Sequence, residues 1–255
     1  FVGNMLSDSS NLQAHLGSMV ADWIGQRFTD SVKIESACSS GSAAFRAGYL
    51  AVASGEVDVA LVVGVEKMTD SPGSEITAAL ATAADADWEV DHGLSFVALN
   101  ALIMKRYMYE YGWQGIDFAG FALNAHANAV HNPNARFRKL ITESSFINSP
   151  MICNPINLMD ASPVGDGAAA VILARSEMLP SNAAKIIVAG SSAATDSIAI
   201  HNRKAPLRLL AAEFSTQKAY AQAGIGPQDI SVFVYHDAFT IMAALSLEAA
   251  GFAEP

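Results

Sequence analysis

From Val57 to Val65 the chain is an almost unbroken apolar run of strand length, which predicts a strand buried on both faces of a sheet. Upstream lies a helix-like apolar stretch, His15 to Phe28, then a short strand pattern at Val32-Lys33-Ile34-Glu35. A run of small residues follows, Ala37-Cys38-Ser39-Ser40-Gly41-Ser42, and a helix is predicted from Ala43 to Ser54, with Gly55 as its C-terminal stop. Strand, helix and strand make a βαβ unit, and Cys38 falls at its first strand-to-helix turn.

Residues 69–150 read differently. Two helices are predicted, Phe96 to Tyr111 and Phe118 to Val130, separated by turns containing Gly and Trp. Polar, proline-bearing stretches follow at His131-Asn132-Pro133 and Ser149-Pro150, so this region reads as a mostly helical insertion between strands of one sheet. Strand pattern resumes at Ala168 to Ala174, after the turn-rich Ser162 to Gly167, and again at Lys185 to Ala189. Near the end come a helix from Phe214 to Ala223, breaks at Gly224 and Gly226, and a strand at Val232 to Tyr235. His236-Asp237-Ala238-Phe239-Thr240 then opens a helix to about Ala250. The segments around Cys38 and His236 thus repeat one order of helix, break, strand, turn and helix, a weak internal duplication.

Composition narrows the class. At 51% hydrophobic and 16% charged residues, the chain is too apolar for disorder and suited to close packing of helices on sheets. The net charge of −10 argues against nonspecific nucleic-acid binding, but a local basic patch would still accept a phosphate-bearing cofactor. No apolar run reaches the length of a membrane helix. Two cysteines, Cys38 and Cys153, give neither a disulfide framework nor a CxxC site, so a reducing, cytoplasmic setting is expected, or an organelle matrix in a eukaryote. The start, Phe1-Val-Gly-Asn, has no initiator Met and no signal-peptide pattern, and reads as a chain already under way.

A thiol at the end of a strand and the start of a helix has a physical reason to react. The free N–H groups and partial positive charge of the helix N-terminus favour the thiolate, and the same N–H groups would stabilise an oxyanion on an attacked carbonyl. The small neighbours of Cys38 would let a thioester approach the backbone closely. Read alone, Cys38 is equally a small buried hydrophobe, His236 a satisfied histidine at a helix start, and Ser162 an ordinary turn serine.

The motifs together resemble the thiolase superfamily, in its archaeal and sterol-carrier-type branches. Ile34-Glu35-Ser36-Ala37-Cys38-Ser39-Ser40-Gly41-Ser42-Ala43-Ala44 resembles the nucleophile motif. His236-Asp237-Ala238-Phe239 is similar to the variant found where degradative and bacterial biosynthetic thiolases carry Asn-Glu-Ala-Phe. Asp160-Ala161-Ser162-Pro163-Val164-Gly165-Asp166-Gly167-Ala168-Ala169-Ala170 resembles the CoA-side loop and following strand. His126-Ala127-Asn128-Ala129 with Asn132-Pro133-Asn134-Ala135 also resembles this subgroup.

The resemblance implies an α/β thiolase-like fold of two similar halves, with mixed sheets around buried helices. The halves would span residues 1–178, carrying the helical insertion at about 69–150, and 183–255, the second incomplete. It implies a CoA-dependent acyltransferase, an acetyl-CoA C-acyltransferase, that condenses two acyl-CoA units or cleaves a 3-ketoacyl-CoA. Cys38 would carry the acyl group, His236 would hold a water in the oxyanion hole, and Ser162 would hydrogen-bond the pantetheine arm. CoA and acyl-CoA would be substrates, with no permanently bound cofactor. Partners implied are a dimer or tetramer of the same chain and a partner protein as in archaeal thiolase complexes, with no nucleic acid.

The pattern is incomplete. The family's Gly-His-Pro segment, whose histidine activates the cysteine, does not occur in these residues, nor does its second cysteine or His-Asn-Gly-Gly variant. Truncation at both ends is therefore expected, with no turnover from these 255 residues alone. Two other readings stay open: a ketoacyl or hydroxymethylglutaryl-CoA synthase of the same superfamily, or a non-catalytic acyl-CoA-binding or scaffold relic. Cys153 reads as structural and His92 as solvated. His126 and His131 stand five apart, which is not ligand spacing on one helix face, so no metal is expected. Arg136, Arg138 and Lys139 read first as a solvated basic face and second as a contact to CoA phosphates.

Overall fold

The computed structural model describes residues 1–255. Its strands are β1 (Val2–Gly3), β2 (Lys33–Ile34), β3 (Val59–Glu66), β4 (Met151–Cys153), β5 (Ile156–Asn157) and β6 (Gly167–Ala174). Its helices are α1 (Ser7–Ser10), α2 (Leu16–Trp23), α3 (Ser40–Ala53), α4 (Gly73–Ala81), α5 (Phe96–Tyr111), α6 (Ala119–Ala129), α7 (Glu143–Ile147), α8 (Leu210–Ala223) and α9 (Thr240–Ala249). No helix is long and apolar enough to cross a membrane. Two compact units form, one from Phe1–Ala83 with Val164–Ser192, the other from Ala84–Pro163 with Ala193–Pro255.

The first unit holds a mixed four-stranded sheet in the order β2-β1-β3-β6. β1 runs parallel to β2 and β3, and β3 pairs antiparallel with β6 from Val59↔Ala174 to Glu66↔Gly167. Helix α3 buries Ser40, Ala44, Gly48 and Val52, one residue per turn on one side. The stripe is of small residues because the sheet lies very close. A Cβ on Gly48 would come within 2.7 Å of Val62 Cγ2, and one on Gly3 within 2.4 Å of the Ser40 carbonyl oxygen. On β3 the buried positions are Ala60 and Val62, while Val59 is 48% exposed. Only Val59 to Val62 alternate, and Val63 to Glu66 are half-buried, so the strand is not buried on both faces along its length.

The second unit is built on helices. Its core packs Met104 and Tyr107 of α5, Phe118, Phe146, Ile156, and Ile241 and Leu245 of α9. Each large apolar side chain fully buried there contributes roughly 2 kcal/mol. The Tyr107 hydroxyl donates to Glu248 Oε1 at 2.6 Å, tying α5 to α9. Helix α5 ends where expected, at Gly112, whose φ of +73° suits a left-handed cap.

Two expected strands do not form. Lys185–Ala189 and Val232–Tyr235 are without regular structure. Both carry strand-like sequences, but neither finds a hydrogen-bonded neighbour strand among residues 1–255, and a strand exists only in a ladder. Ile186 and Ile187 are exposed. In the second segment Val232 and Val234 face outward, while Phe233 turns in against Phe252 at 4.8 Å between ring centres.

Candidate functional site

Cys38 lies in a short 3₁₀ turn, Ala37–Ser39, that runs directly from the end of β2 into α3. Serines hold this turn. Ser40 Oγ accepts from the Ser36 amide at 2.9 Å and donates to the Ala37 carbonyl at 2.6 Å, and Ser39 Oγ donates to the Ser36 carbonyl at 2.6 Å. The bonds fix an unfavourable backbone: Ala37 has φ +45°, a conformation that an alanine adopts only under constraint. The small residues thus have a structural task, because the start of α3 packs on the β1 backbone at Gly3.

The Cys38 side chain is exposed. The chain packed behind it still removes enough water to push the thiol pKa up, against a downward pull from its own backbone N–H; the Glu66 carboxylate adds to the rise. The helix-start preference for thiolate is therefore present but outweighed.

In the second unit the Ser162 and His236 segments lie side by side. The Ser162 amide donates to the Ala238 carbonyl at 2.9 Å, with Ser162 Oγ at 3.3 Å from the same oxygen. Ala161 and Phe239 form an antiparallel bridge, and the Thr240 hydroxyl donates to Asp160 Oδ1. Residues 160–162 thus run against 240–238 one residue at a time. His236 is exposed, two residues before the held stretch.

A cavity of about 260 Å³ opens on this side of the unit. Ser162, Pro163, Asp237 and Thr240 line it, together with His126, Arg136 and the apolar Phe121 and Met159. His126 Nδ1 lies 2.9 Å from the Lys139 carbonyl oxygen. Of the basic cluster, Arg136 faces the cavity; Arg138 and Lys139 do not line it. Cys153 belongs to the β4–β5 hairpin, is packed against the core and does not line the cavity.

Asp160 and Thr240 do not stand out in the sequence as working residues. Asp160 is 3% exposed and Thr240 4%. Burial pushes the Asp160 carboxyl pKa up, opposed by hydrogen bonds from Thr240 and the Asn157 amide. A signal existed: Asn157-Leu158-Met159-Asp160 has the spacing of a reciprocal cap, and both halves of that box form here.

The structure brings Ser162 and the His236 turn together inside one unit, and it sets Cys38 in the other. The family description "Thiolase, N-terminal domain" matches residues 1–177, and "Thiolase C-terminal domain-like" matches residues 192–255. An acetyl-CoA acetyltransferase of Methanothermobacter thermautotrophicus is 39% identical over 255 residues, covering 100% of this chain and 66% of that protein. One from Methanocaldococcus jannaschii is 39% identical, over 99% of this chain and 64% of that protein. The chain therefore spans just under two thirds of the length of these relatives. Among solved structures, the Ltp2-ChsH2(DUF35) aldolase superposes with a TM-score of 0.77 at 24% identity, over 99% of this chain and 65% of that one. The motif order, the family matches and the α/β architecture agree, and the chain belongs to the thiolase family.

Proposed function

We propose that the protein is a CoA-dependent acyltransferase that works through an S-acyl intermediate on Cys38. The observation that carries this reading is the 39% identity, across the whole chain, to proteins named acetyl-CoA acetyltransferase. The cysteine turn, with its strained Ala37, and the His236 and Ser162 segments beside an apolar-walled cavity support it.

In the first step Cys38 Sγ attacks the thioester carbon of an acyl-CoA. A carbon–sulfur bond to Cys38 forms, the bond to CoA breaks, and CoA leaves with the proton that Cys38 gave up. In the second, a base takes the α-proton of another acyl-CoA, and the carbanion left at that carbon attacks the Cys38 thioester. A carbon–carbon bond forms and Cys38 departs as thiolate; cleavage runs the same steps backward. His236 orients a water toward the thioester oxygen where negative charge develops. Ser162 hydrogen-bonds the pantetheine arm, and Arg136 stands within reach of an anionic part of the substrate. A thiol whose pKa is pushed up by desolvation suits a nucleophile that is armed by a base when substrate is bound. That base is assigned to no residue of this chain.

Acyl-CoA is the small-molecule partner in this reading, and CoA serves as substrate, not as a resident cofactor. Assembly with copies of the same chain, or with a partner protein, is part of the proposal.

The test is to separate the half-reactions in the full-length protein. His236→Ala should still take an acyl group on Cys38, while overall turnover falls by about 10²–10³-fold, the usual loss for one oxyanion contact. Intact-protein mass spectrometry beside steady-state rates reads both. Normal turnover in His236→Ala removes the histidine from the mechanism.

A further inference from the structure

We propose that Asp160 and Thr240 form a buried latch that sets the position of His236 against Ser162. Both are positioning residues, and the inference rests on the roles given above to His236 and Ser162.

The Asp160 carboxylate sits where water hardly reaches and has no cation among its hydrogen-bond partners. A buried carboxylate without a counter-charge is expensive, and an apolar residue of similar size would pack as well, so its presence needs a reason. The geometry supplies one. Oδ1 accepts from the hydroxyl of Thr240, the first residue of α9, and Oδ2 accepts from the Asn157 amide at 3.0 Å. Asn157 Oδ1 in turn accepts from the Met159 amide at 2.8 Å, the Asp160 amide at 3.2 Å and Ser149 Oγ at 2.6 Å. Asp160 is thus fixed from its own segment by several bonds and reaches the other segment through one.

That one bond is well placed. His236 lies four residues before Thr240, and Ala238 and Phe239 between them are held by Ser162 and Ala161. Asp237 and His236 alone continue past the held stretch. A shift of Thr240 by a few tenths of an ångström would pass along this short path to His236, and through the Ala238 carbonyl to Ser162. Asp160, Ser162, Asp237 and Thr240 all line the one cavity, so the latch is built into the wall of the site.

The experiment uses the full-length protein. Thr240→Val removes the hydroxyl at nearly constant volume, Thr240→Ser keeps it, and Asp160→Asn keeps an acceptor for Thr240 while replacing the one facing the Asn157 amide. Three quantities are read: kcat and KM for acyl-CoA, and the imidazole resonance of His236 in protein labelled with ¹³C-histidine, assigned through His236→Ala. Thr240→Val should lower kcat by about 10–100-fold, raise KM, and move the His236 resonance. Thr240→Ser should return all three toward the parent values, and Asp160→Asn should move them in the same direction as Thr240→Val, by less. An unmoved resonance with parental kcat in Thr240→Val overturns the latch, as does a loss that Thr240→Ser fails to restore. Should Thr240→Val not fold, Asp160→Asn takes its place: a moved resonance with lowered kcat supports the latch, and parental values of both overturn it. The proposed roles fail separately. If the resonance moves while Thr240→Val and His236→Ala both turn over normally, the latch stands and His236 leaves the mechanism. If the resonance stays and His236→Ala is impaired, the latch falls and His236 remains.

Discussion

At the turn before α3, Cys38 stands exposed on backbone pressed against the sheet, where a Cβ on Gly3 would overlap the Ser40 carbonyl. At the turn before α9, His236 is also exposed, but its segment meets no sheet and is held by a bridge, a serine and a buried carboxylate. The first turn is held by its own serines and by close backbone approach at Gly3, and its small residues follow from that. The second is held by a backbone bridge to a distant segment and by side chains that reach across to it. Both put a proposed site residue shortly before or at a helix start, so similar local patterns are held by different physics. Damage should differ accordingly: a larger side chain disrupts the first turn, and loss of a hydrogen bond disrupts the second.

The largest effect expected is that of Cys38→Ala in the full-length protein, with loss of acylation and a fall in turnover of at least about 10⁴-fold. Steady-state rates measured beside His236→Ala rank the two turns, and equal losses would erase the distinction between carrier and oxyanion contact. Next is Gly3→Ala. Its Cβ would meet backbone of Ser40 and Gly41, which can move only with the helix, so destabilisation of about 1–3 kcal/mol is expected in urea unfolding. An unchanged midpoint would mean that the first turn is not held by close packing. Ser162→Ala should be milder, raising KM for acyl-CoA about fivefold, the size of one neutral hydrogen bond, with kcat affected less. An effect on kcat alone would place the serine at the reacting carbon instead of on the pantetheine arm. The smallest difference is in labelling by iodoacetamide. Because the Cys38 thiol pKa is raised, its thiolate fraction near neutral pH lies below that of a free cysteine and grows as pH rises. The labelling rate of Cys38 should therefore climb through the alkaline range and level off above the ordinary cysteine pKa. A plateau already reached near neutral pH would show that the helix start wins over burial.

Much of the fold is readable from local pattern. The βαβ unit around Cys38 and the bounds of α5, Phe96–Tyr111, follow from apolar spacing and a terminal glycine, which are local properties. Lys185–Ala189 and Val232–Tyr235 mislead for the opposite reason, since strand-forming residues make no strand without a neighbour and no local pattern reveals one. The three proposed site residues are named through motifs in a fixed order. Their support is not: Asp160 and Thr240 are far apart in sequence and meet only in the fold, and the raised thiol pKa of Cys38 comes from the chain packed behind an exposed side chain, which sequence does not display.

The central claim is that Cys38 carries the acyl group. Full-length protein mixed briefly with acetyl-CoA, quenched in acid and digested, should yield one acetylated peptide, the one containing Cys38, and the modification should disappear when free CoA is added before the quench. Acetylation on the Cys153 peptide, or none on either cysteine while turnover proceeds, would contradict the account.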